Sequence, residues 1–108
     1  MNAELEHLKK MRELLEKGWT QGAWARNANG VNCGPHHDEA TAFCLIGASL
    51  RAGGPSDLEP ILPESLSAAI GAEPRMGPFL VFNDHPIRTQ ADVLALIDRA
   101  IEIAEAAE

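Results

Sequence analysis

The chain has 108 residues, of which 45% are hydrophobic and 23% charged, and its formal net charge is −7 at pH 7. This length predicts one domain, residues 1–108, and the apolar share excludes a disordered chain. An acidic chain is poorly suited to nucleic acid, because a phosphate backbone is bound mainly by clustered Lys and Arg. With two Trp, three Phe and no Tyr, the core must rely on aliphatic side chains and alanine, which favours helices.

The sequence also bounds the location and the cofactors. No run of about 18 apolar residues could span a membrane, and the start MNAELEHLKK lacks the apolar stretch of a signal peptide. We therefore expect a cytoplasmic protein with reduced cysteines. No phosphate-binding loop, nucleophile elbow or metal-ligand spacing occurs, so no cofactor is predicted and an enzyme is the less favoured class.

The first predicted element is an amphipathic helix over residues 3–17. Leu5, Leu8, Met11 and Leu15 recur at a spacing of three to four, and Gly18 stands where the helix would end. The charges on this helix alternate in sign, which is typical of a solvated face and leaves it only weakly suited to nucleic acid. The alternating residues are Glu6, Lys9, Lys10, Arg12, Glu13, Glu16 and Lys17.

A short ribbon and a second helix are predicted next. The segments AWAR and VNC flank an Asn-Gly pair and could form two strands that lie on the helices. Asp38 is suited to cap a helix that runs to Leu50, with Ala40, Phe43 and Cys44 on its apolar stripe. The Gly-Gly-Pro that follows would end this helix.

The C-terminal half predicts two more helices and one strand. A third helix is placed at roughly 63–70, between Pro63 and Gly71, with SDLE at 56–59 as an alternative start. The apolar run FLVF at 79–82 predicts a buried strand. Thr89, with Asp92 three residues later, predicts a capping box before the last helix. The predicted fold class is mainly α, a compact domain of about four helices with a possible small two-stranded β-ribbon.

The stretch NCGPHHDEATAFC holds both cysteines and two of the four histidines. Zinc sites usually offer two close ligand pairs, and the spacing of Cys33, His36, His37 and Cys44 does not match that pattern. A cysteine nucleophile needs an oriented base, and no orienting residue is recognisable beside these histidines. We interpret the stretch as a loop that enters a helix and buries Cys44 as a small hydrophobe, so no metal site is predicted.

Two other stretches form the candidate ligand or partner site. WTQGAWAR concentrates both tryptophans and an arginine, and FNDHPIRT combines polar residues with a helix cap. The second stretch can also be structural, because Asn83 and Asp84 can form Asx turns and Arg88 can pair with Asp84. If the two stretches share a pocket, Asp84 or His85 could act as a base. The candidate residues are Trp19, Gln21, Trp24, Arg26, Asn83, Asp84, His85 and Arg88.

The same motifs resemble those of a known family. W-T-Q-G-A-W-A-R at 19–26, C-L-I-G-A at 44–48 and N-D-x-P-x-R-T at 83–89 are similar to the family called domain of unknown function 6197, small proteins of bacteria and their phages. The resemblance covers most of the chain from residue 14 onward. It implies a small, mostly helical domain without a known reaction or cofactor.

Two functions from different classes follow. The favoured one is a non-enzymatic accessory or protein-interaction domain, derived from a phage or mobile element, that acts with an unknown protein partner or as a weak homodimer. The alternative is a small ligand-binding protein or hydrolase whose pocket joins WTQGAWAR to FNDHPIRT. A pocket shared by Arg26 and Asp84 would favour the alternative, whereas a surface turn would favour the interaction domain.

Overall fold

The computed structural model describes residues 3–53, 62–73 and 75–107, which form five helices and three short strands. The prediction of a mainly helical class is confirmed, and the expected four helices and two strands undercount what these residues form. No helix in the described ranges is long and apolar enough to cross a membrane. The elements are α1 (Ala3–Lys17), β1 (Ala25–Asn27), β2 (Asn32–Cys33), β3 (Ala40–Phe43), α2 (Leu45–Gly53), α3 (Glu64–Ile70), α4 (Met76–Asp84) and α5 (Gln90–Ala106).

The first and last helices pack on each other across the core. α1 also contacts α2, and α5 also contacts α3. Two polar links join the pair: Arg12 Nε donates to Asp98 Oδ1 at 2.6 Å, and Gln90 Nε2 donates to the carbonyl oxygen of Leu15 at 2.8 Å. Their apolar stripes supply the buried residues Leu8, Met11, Leu15, Val93, Leu96, Ile97, Ala100 and Ala104.

The small sheet has the strand order β2-β1-β3, and both pairings are antiparallel. On the outer side of β3, the chain after α1 runs parallel to the strand. There the Phe43 N–H donates to the Gly18 carbonyl at 3.0 Å, and the Thr20 N–H donates to the Phe43 carbonyl at 3.1 Å. A Cβ at Gly18 would overlap the carbonyl oxygen of Thr41, so this close approach requires a glycine.

The predicted start of the second helix at Asp38 is wrong. Residues 40–43 are strand β3, and α2 begins only at Leu45. The reason is tertiary, because Phe43 has a neighbouring segment on both edges: Ala25 of β1 is its register partner on one side, and Gly18 and Thr20 bind its backbone N–H and carbonyl on the other. Sheet pairing therefore overrides a helical pattern that local sequence alone favoured.

The predicted strand at FLVF is also wrong, because residues 79–82 lie within α4. Phe79 is fully buried whereas Val81 is 70% exposed, and the next fully buried residue of the helix is Asn83. Positions 79 and 83 are one helical turn apart and share a face, which a run of four apolar letters does not reveal. Pro78 is tolerated because the first turn of a helix needs no N–H donor there.

The predicted helix ends in the C-terminal half are confirmed. α3 follows Pro63 and stops at Gly71, which has a left-handed φ of 78°. The Thr89 hydroxyl accepts from the Asp92 N–H at 3.2 Å, and the Asp92 carboxylate accepts from the Thr89 N–H at 3.0 Å. The alternative start SDLE at 56–59 lies outside the described residues.

The capping box gives a direct test of the fold. Thr89→Ala should lower the free energy of unfolding by about 1 kcal/mol, because one N–H of the first turn of α5 loses its acceptor. Thr89→Ser keeps the hydroxyl and should lose much less. Urea unfolding followed by circular dichroism measures both variants, and equal stability of Thr89→Ala and the parent chain would contradict the capping role.

Candidate functional site

The side chain of Asn83 joins the two candidate stretches. It is fully buried, and its Oδ1 accepts from Trp19 Nε1 at 2.8 Å and from the Leu45 N–H at 3.1 Å. Its Nδ2 donates to the Thr20 carbonyl at 3.1 Å and to Asp84 Oδ1 at 2.8 Å. One amide thus satisfies groups from the segment after α1, the start of α2 and the end of α4.

Gln21 and Gly22 extend this contact to the end of α4. Gln21 Nε2 donates to the carbonyl oxygens of Asn83 at 2.9 Å and His85 at 2.8 Å. The Gly22 N–H donates to Asp84 Oδ1 at 3.1 Å, and Gly22 has a φ of 76°, which favours glycine. The stretches WTQGAWAR and FNDHPIRT are therefore in contact, and their polar groups form hydrogen bonds with each other.

Arg26 lies in the β1–β2 hairpin, and its guanidinium bonds to oxygens of nearby residues, including the Gln21 carbonyl at 3.3 Å. Its Nε donates to Thr20 Oγ1 at 2.9 Å, and its Nη1 donates to the Gly30 carbonyl at 3.1 Å and to Asn32 Oδ1 at 2.6 Å. Within the described ranges no ion pair shorter than 4 Å joins Arg26 to a carboxylate. The guanidinium thus closes the hairpin, and Asp84, the last residue of α4, bonds to Gly22 and Asn83 instead of to Arg26.

Trp24 contributes its backbone to the fold and part of its ring to the surface. Its carbonyl oxygen accepts from the Cys44 N–H at 3.2 Å. A Cβ at Gly47 would overlap that same carbonyl, so α2 can approach β1 only with glycine at this position. The indole is 41% exposed. The Gly within C-L-I-G-A is therefore required by packing.

His85 and Arg88 face a different direction from the other candidate residues. Arg88 Nε donates to the Phe82 carbonyl at 2.8 Å, and its guanidinium lies 3.7 Å from the centre of the Phe82 ring. The expected pairing of Arg88 with Asp84 is not formed at 4 Å in the described part of the chain. His85 Nδ1 accepts from the Ile87 N–H at 3.3 Å.

Both residues line a groove of about 410 Å³, here called the α4 groove, whose other walls come from α3, α4 and the connection between them. Sequence reasoning did not single out the apolar side chains around it. Val81 is 70% exposed and Ile87 is 78% exposed. The only indication in the sequence was conditional: if FLVF is helical, Val81 lies on the face opposite Phe79. The α4 groove together with Val81 and Ile87 is called the α4 patch. The groove is lined by Ile70, Ala72, Pro78, Val81, Phe82, His85 and Arg88.

The stretch NCGPHHDEATAFC forms strand β2, a loop and strand β3, and it ends at Cys44, just before α2. Cys44 is 1% exposed, and its sulfur accepts from the Gly47 N–H at 3.3 Å. Burial raises the pKa of the Cys44 thiol, which disfavours the thiolate that a nucleophile needs. Burial of Cys44 is thus confirmed, although the residue precedes its helix instead of lying within it. Cys33 is half-buried, and both cysteines are free.

The two histidines of that stretch do not converge with the cysteines on a common point. His37 Nδ1 accepts from the Glu39 N–H at 3.0 Å. His36 Nε2 is buried without a hydrogen-bond partner in the residues that the structure describes. In those residues no group of three or more His, Cys, Asp or Glu side chains could hold a metal ion.

Fold and contacts together place this chain among small, mainly helical proteins with a three-stranded sheet, and in this chain one buried asparagine bonds α4 to the segment after α1 and to the start of α2. The chain belongs to the DUF6197 family, a family of unknown function whose model matches residues 1–103. No curated protein and no solved structure is similar enough to this chain to count as a match.

The role of Asn83 can be tested by removing its amide. Asn83→Ala leaves the Trp19 indole N–H, the Leu45 N–H and the Thr20 carbonyl without this partner, and each unsatisfied buried group costs about 1–3 kcal/mol. We expect the free energy of unfolding to fall by at least about 3 kcal/mol. Asp84→Asn, which keeps an acceptor oxygen on an exposed side chain, should lose about 1 kcal/mol or less. Equal losses in the two variants, measured by urea unfolding, would contradict the central role of Asn83.

Thiol chemistry should separate the two cysteines. Because burial raises the pKa of Cys44 and hides its sulfur, only Cys33 should react rapidly with a disulfide reagent in the folded protein. Cys44 should react only after unfolding in guanidinium. The single variants Cys33→Ser and Cys44→Ala assign each phase, and a fast reaction that persists in Cys33→Ser would show that Cys44 is accessible.

Proposed function

We propose that this chain is a small, non-enzymatic accessory domain that acts through protein–protein contacts, and that the α4 patch is a contact surface. The observation that carries this proposal is the exposure of Val81 and Ile87, at 70% and 78%, beside an apolar groove. Each Å² of apolar surface removed from water contributes about 25 cal/mol, so covering these side chains favours association.

The candidate stretches support the same conclusion by how they use their polar groups. A catalytic or ligand site directs hydrogen-bonding atoms into a cavity. Here the Asn83 amide, the Gln21 amide and the Arg26 guanidinium are directed at other protein groups instead. Within α4 and FNDHPIRT, the exposed apolar side chains are the groups that remain available to contact a partner.

We infer that the occupant of the α4 patch is a second copy of the chain. A two-fold contact needs a surface that carries both a protrusion and a recess, since the same residues face each other across the axis. Val81 and Ile87 are exposed, and Val81 also forms one wall of the α4 groove of about 410 Å³, so the patch offers both exposed apolar side chains and a recess. Because the proposed contact uses few side chains, we expect a weak dimer.

A second candidate function, binding of a small apolar carboxylate, is favoured by one observation. The α4 groove falls within the volume range of about 300–1,000 Å³ that is common for small-molecule sites, and Arg88 stands at its wall. Such a ligand would contact His85 and Arg88 from FNDHPIRT but would not need WTQGAWAR, whose polar atoms are bonded elsewhere.

Analytical ultracentrifugation over a wide concentration range tests the dimer. The average mass of the parent chain should rise with concentration from 11.6 kDa towards twice that value. Val81→Glu and Ile87→Glu should each hold the chain at the monomer mass, because a charge would be buried in the contact. Val31→Glu is the matched control, since Val31 is 58% exposed in the β1–β2 turn, away from α4.

Three outcomes would contradict the proposal. They are a monomer at every concentration, a stable tetramer, and an equal effect of Val31→Glu and Val81→Glu. A monomer whose melting temperature is raised by octanoate, and no longer raised in Arg88→Gln, would instead support the ligand-binding candidate.

A further inference from the structure

A second groove, on the side of the fold where α1, α2 and β3 meet, carries positive charge. One part, of about 390 Å³, lies between α1 and α2, and a second part, of about 310 Å³, extends along β3. The two parts share Leu14, Lys17 and Arg51 and so form one surface, here called the basic groove. The remaining lining residues are Lys10, Glu13, Ala40, Thr41, Phe43 and Ala52.

The charge of this groove is opposite to that of the chain as a whole. Its lining holds three cations, Lys10, Lys17 and Arg51, and one carboxylate, Glu13, although the chain carries a net charge of −7. In the described ranges, the ion pairs within 4 Å join Arg12 and Arg75 to their carboxylates and involve none of the groove cations. The basic groove therefore has cations that no neighbouring carboxylate neutralises at contact distance.

Arg51 is held in place before any ligand arrives. Its Nη1 donates to the carbonyl oxygens of Pro35 at 3.1 Å and His37 at 3.0 Å, and its guanidinium lies 5.9 Å from the centre of the Phe43 ring. A fixed guanidinium loses little side-chain entropy on binding and offers a planar fork that matches a carboxylate. The preceding loop thus orients a cation at the junction of the two parts of the groove.

The groove also has apolar walls, so its ligand should carry apolar groups as well as acidic ones. Leu14, Ala40 and Ala52 line the groove together with the cations. Such a lining suits a peptide that combines carboxylates with aliphatic side chains. Nucleic acid fits less well, because Phe43, the one aromatic residue in the described lining, is 3% exposed and cannot stack on bases.

We propose that the basic groove binds an acidic, partly aliphatic segment of a partner protein. Lys10 and Lys17 are seven residues apart on α1, which corresponds to about 10 Å along the helix, or about three residues of extended peptide. One carboxylate meets Arg51, a second meets Lys10 or Lys17, and an aliphatic side chain between them contacts Leu14. The interaction is weak and salt-sensitive, since the lysines are exposed.

Fluorescence anisotropy with a labelled peptide in which Glu pairs alternate with single Leu residues tests this proposal. The double variant Lys10→Glu/Lys17→Glu should weaken binding roughly tenfold or more, because attraction becomes repulsion. Lys9→Glu, which makes half the charge change of the double variant and lies on α1 outside the groove lining, should change binding less than about twofold. The lysines are exposed, so these variants should fold like the parent, and Arg51→Gln is a further variant whose fold is checked by its melting temperature.

Several results would overturn the proposal: no binding of the acidic peptide at low salt, equal binding of the peptide with Gln in place of Glu, or an equal effect of Lys9→Glu and the double variant. Tighter binding of a labelled oligothymidine, lost in the double variant, would assign the groove to nucleic acid instead. Val81→Glu should leave peptide binding unchanged, so failure of the dimer and failure of the peptide site are separate outcomes.

Discussion

The fold depends on the hydrogen bonds of one buried side chain, that of Asn83. Its amide satisfies the indole of Trp19, the neighbouring carbonyl of Thr20 and the first N–H of α2, and these groups come from two parts of the sequence that are distant from each other and from α4. An apolar residue here would leave buried donors and an acceptor unpaired, at about 1–3 kcal/mol each. This requirement explains why an Asn-Asp pair stands at the end of a helix, where the sequence by itself suggests a turn.

Close backbone approach is the second constraint. Gly18 and Gly47 each lie against a carbonyl oxygen, of Thr41 and Trp24 respectively, that a Cβ would overlap. These two glycines allow β3 to lie beside the chain after α1 and α2 to lie on β1. Together with Asn83 they fix the sheet against the helices. A two-stranded ribbon would be marginal alone, whereas this three-stranded sheet is paired along β1 and covered by helices.

The unusual polar residues of WTQGAWAR and FNDHPIRT therefore stabilise the fold. The two proposed contact surfaces are built from residue types that are common in any sequence. Val81 and Ile87 are ordinary aliphatic residues whose exposure follows from the direction of α4 and of the turn after it. Lys10 and Lys17 belong to α1 and Arg51 belongs to α2, and they share a groove only because these two helices pack together.

The sequence by itself determined the elements whose signals are local. α1 and α5 carry apolar residues at helical spacing, Gly71 stops α3 by its left-handed φ, and Thr89 with Asp92 forms the capping box, since each depends on residues within one turn. Burial of Cys44 was also predictable from its apolar neighbours. A contact between the two candidate stretches was only part of the alternative hypothesis, and that hypothesis came from their composition and not from any local rule.

Only the tertiary structure decided the elements whose partners are distant in sequence. β3 replaced the start of a helix because Phe43 is paired on both edges by residues about twenty positions away. FLVF became a helix because Phe79 and Asn83 must share one buried face, and a short apolar run has no period by which to show this. The packing of the elements also decides that Arg26 bonds within its hairpin, that Arg88 stacks on Phe82 and that the groove cations lie together. Local patterns fix propensity and helix ends, but long-range hydrogen bonds and shared buried faces exist only once distant segments are in contact.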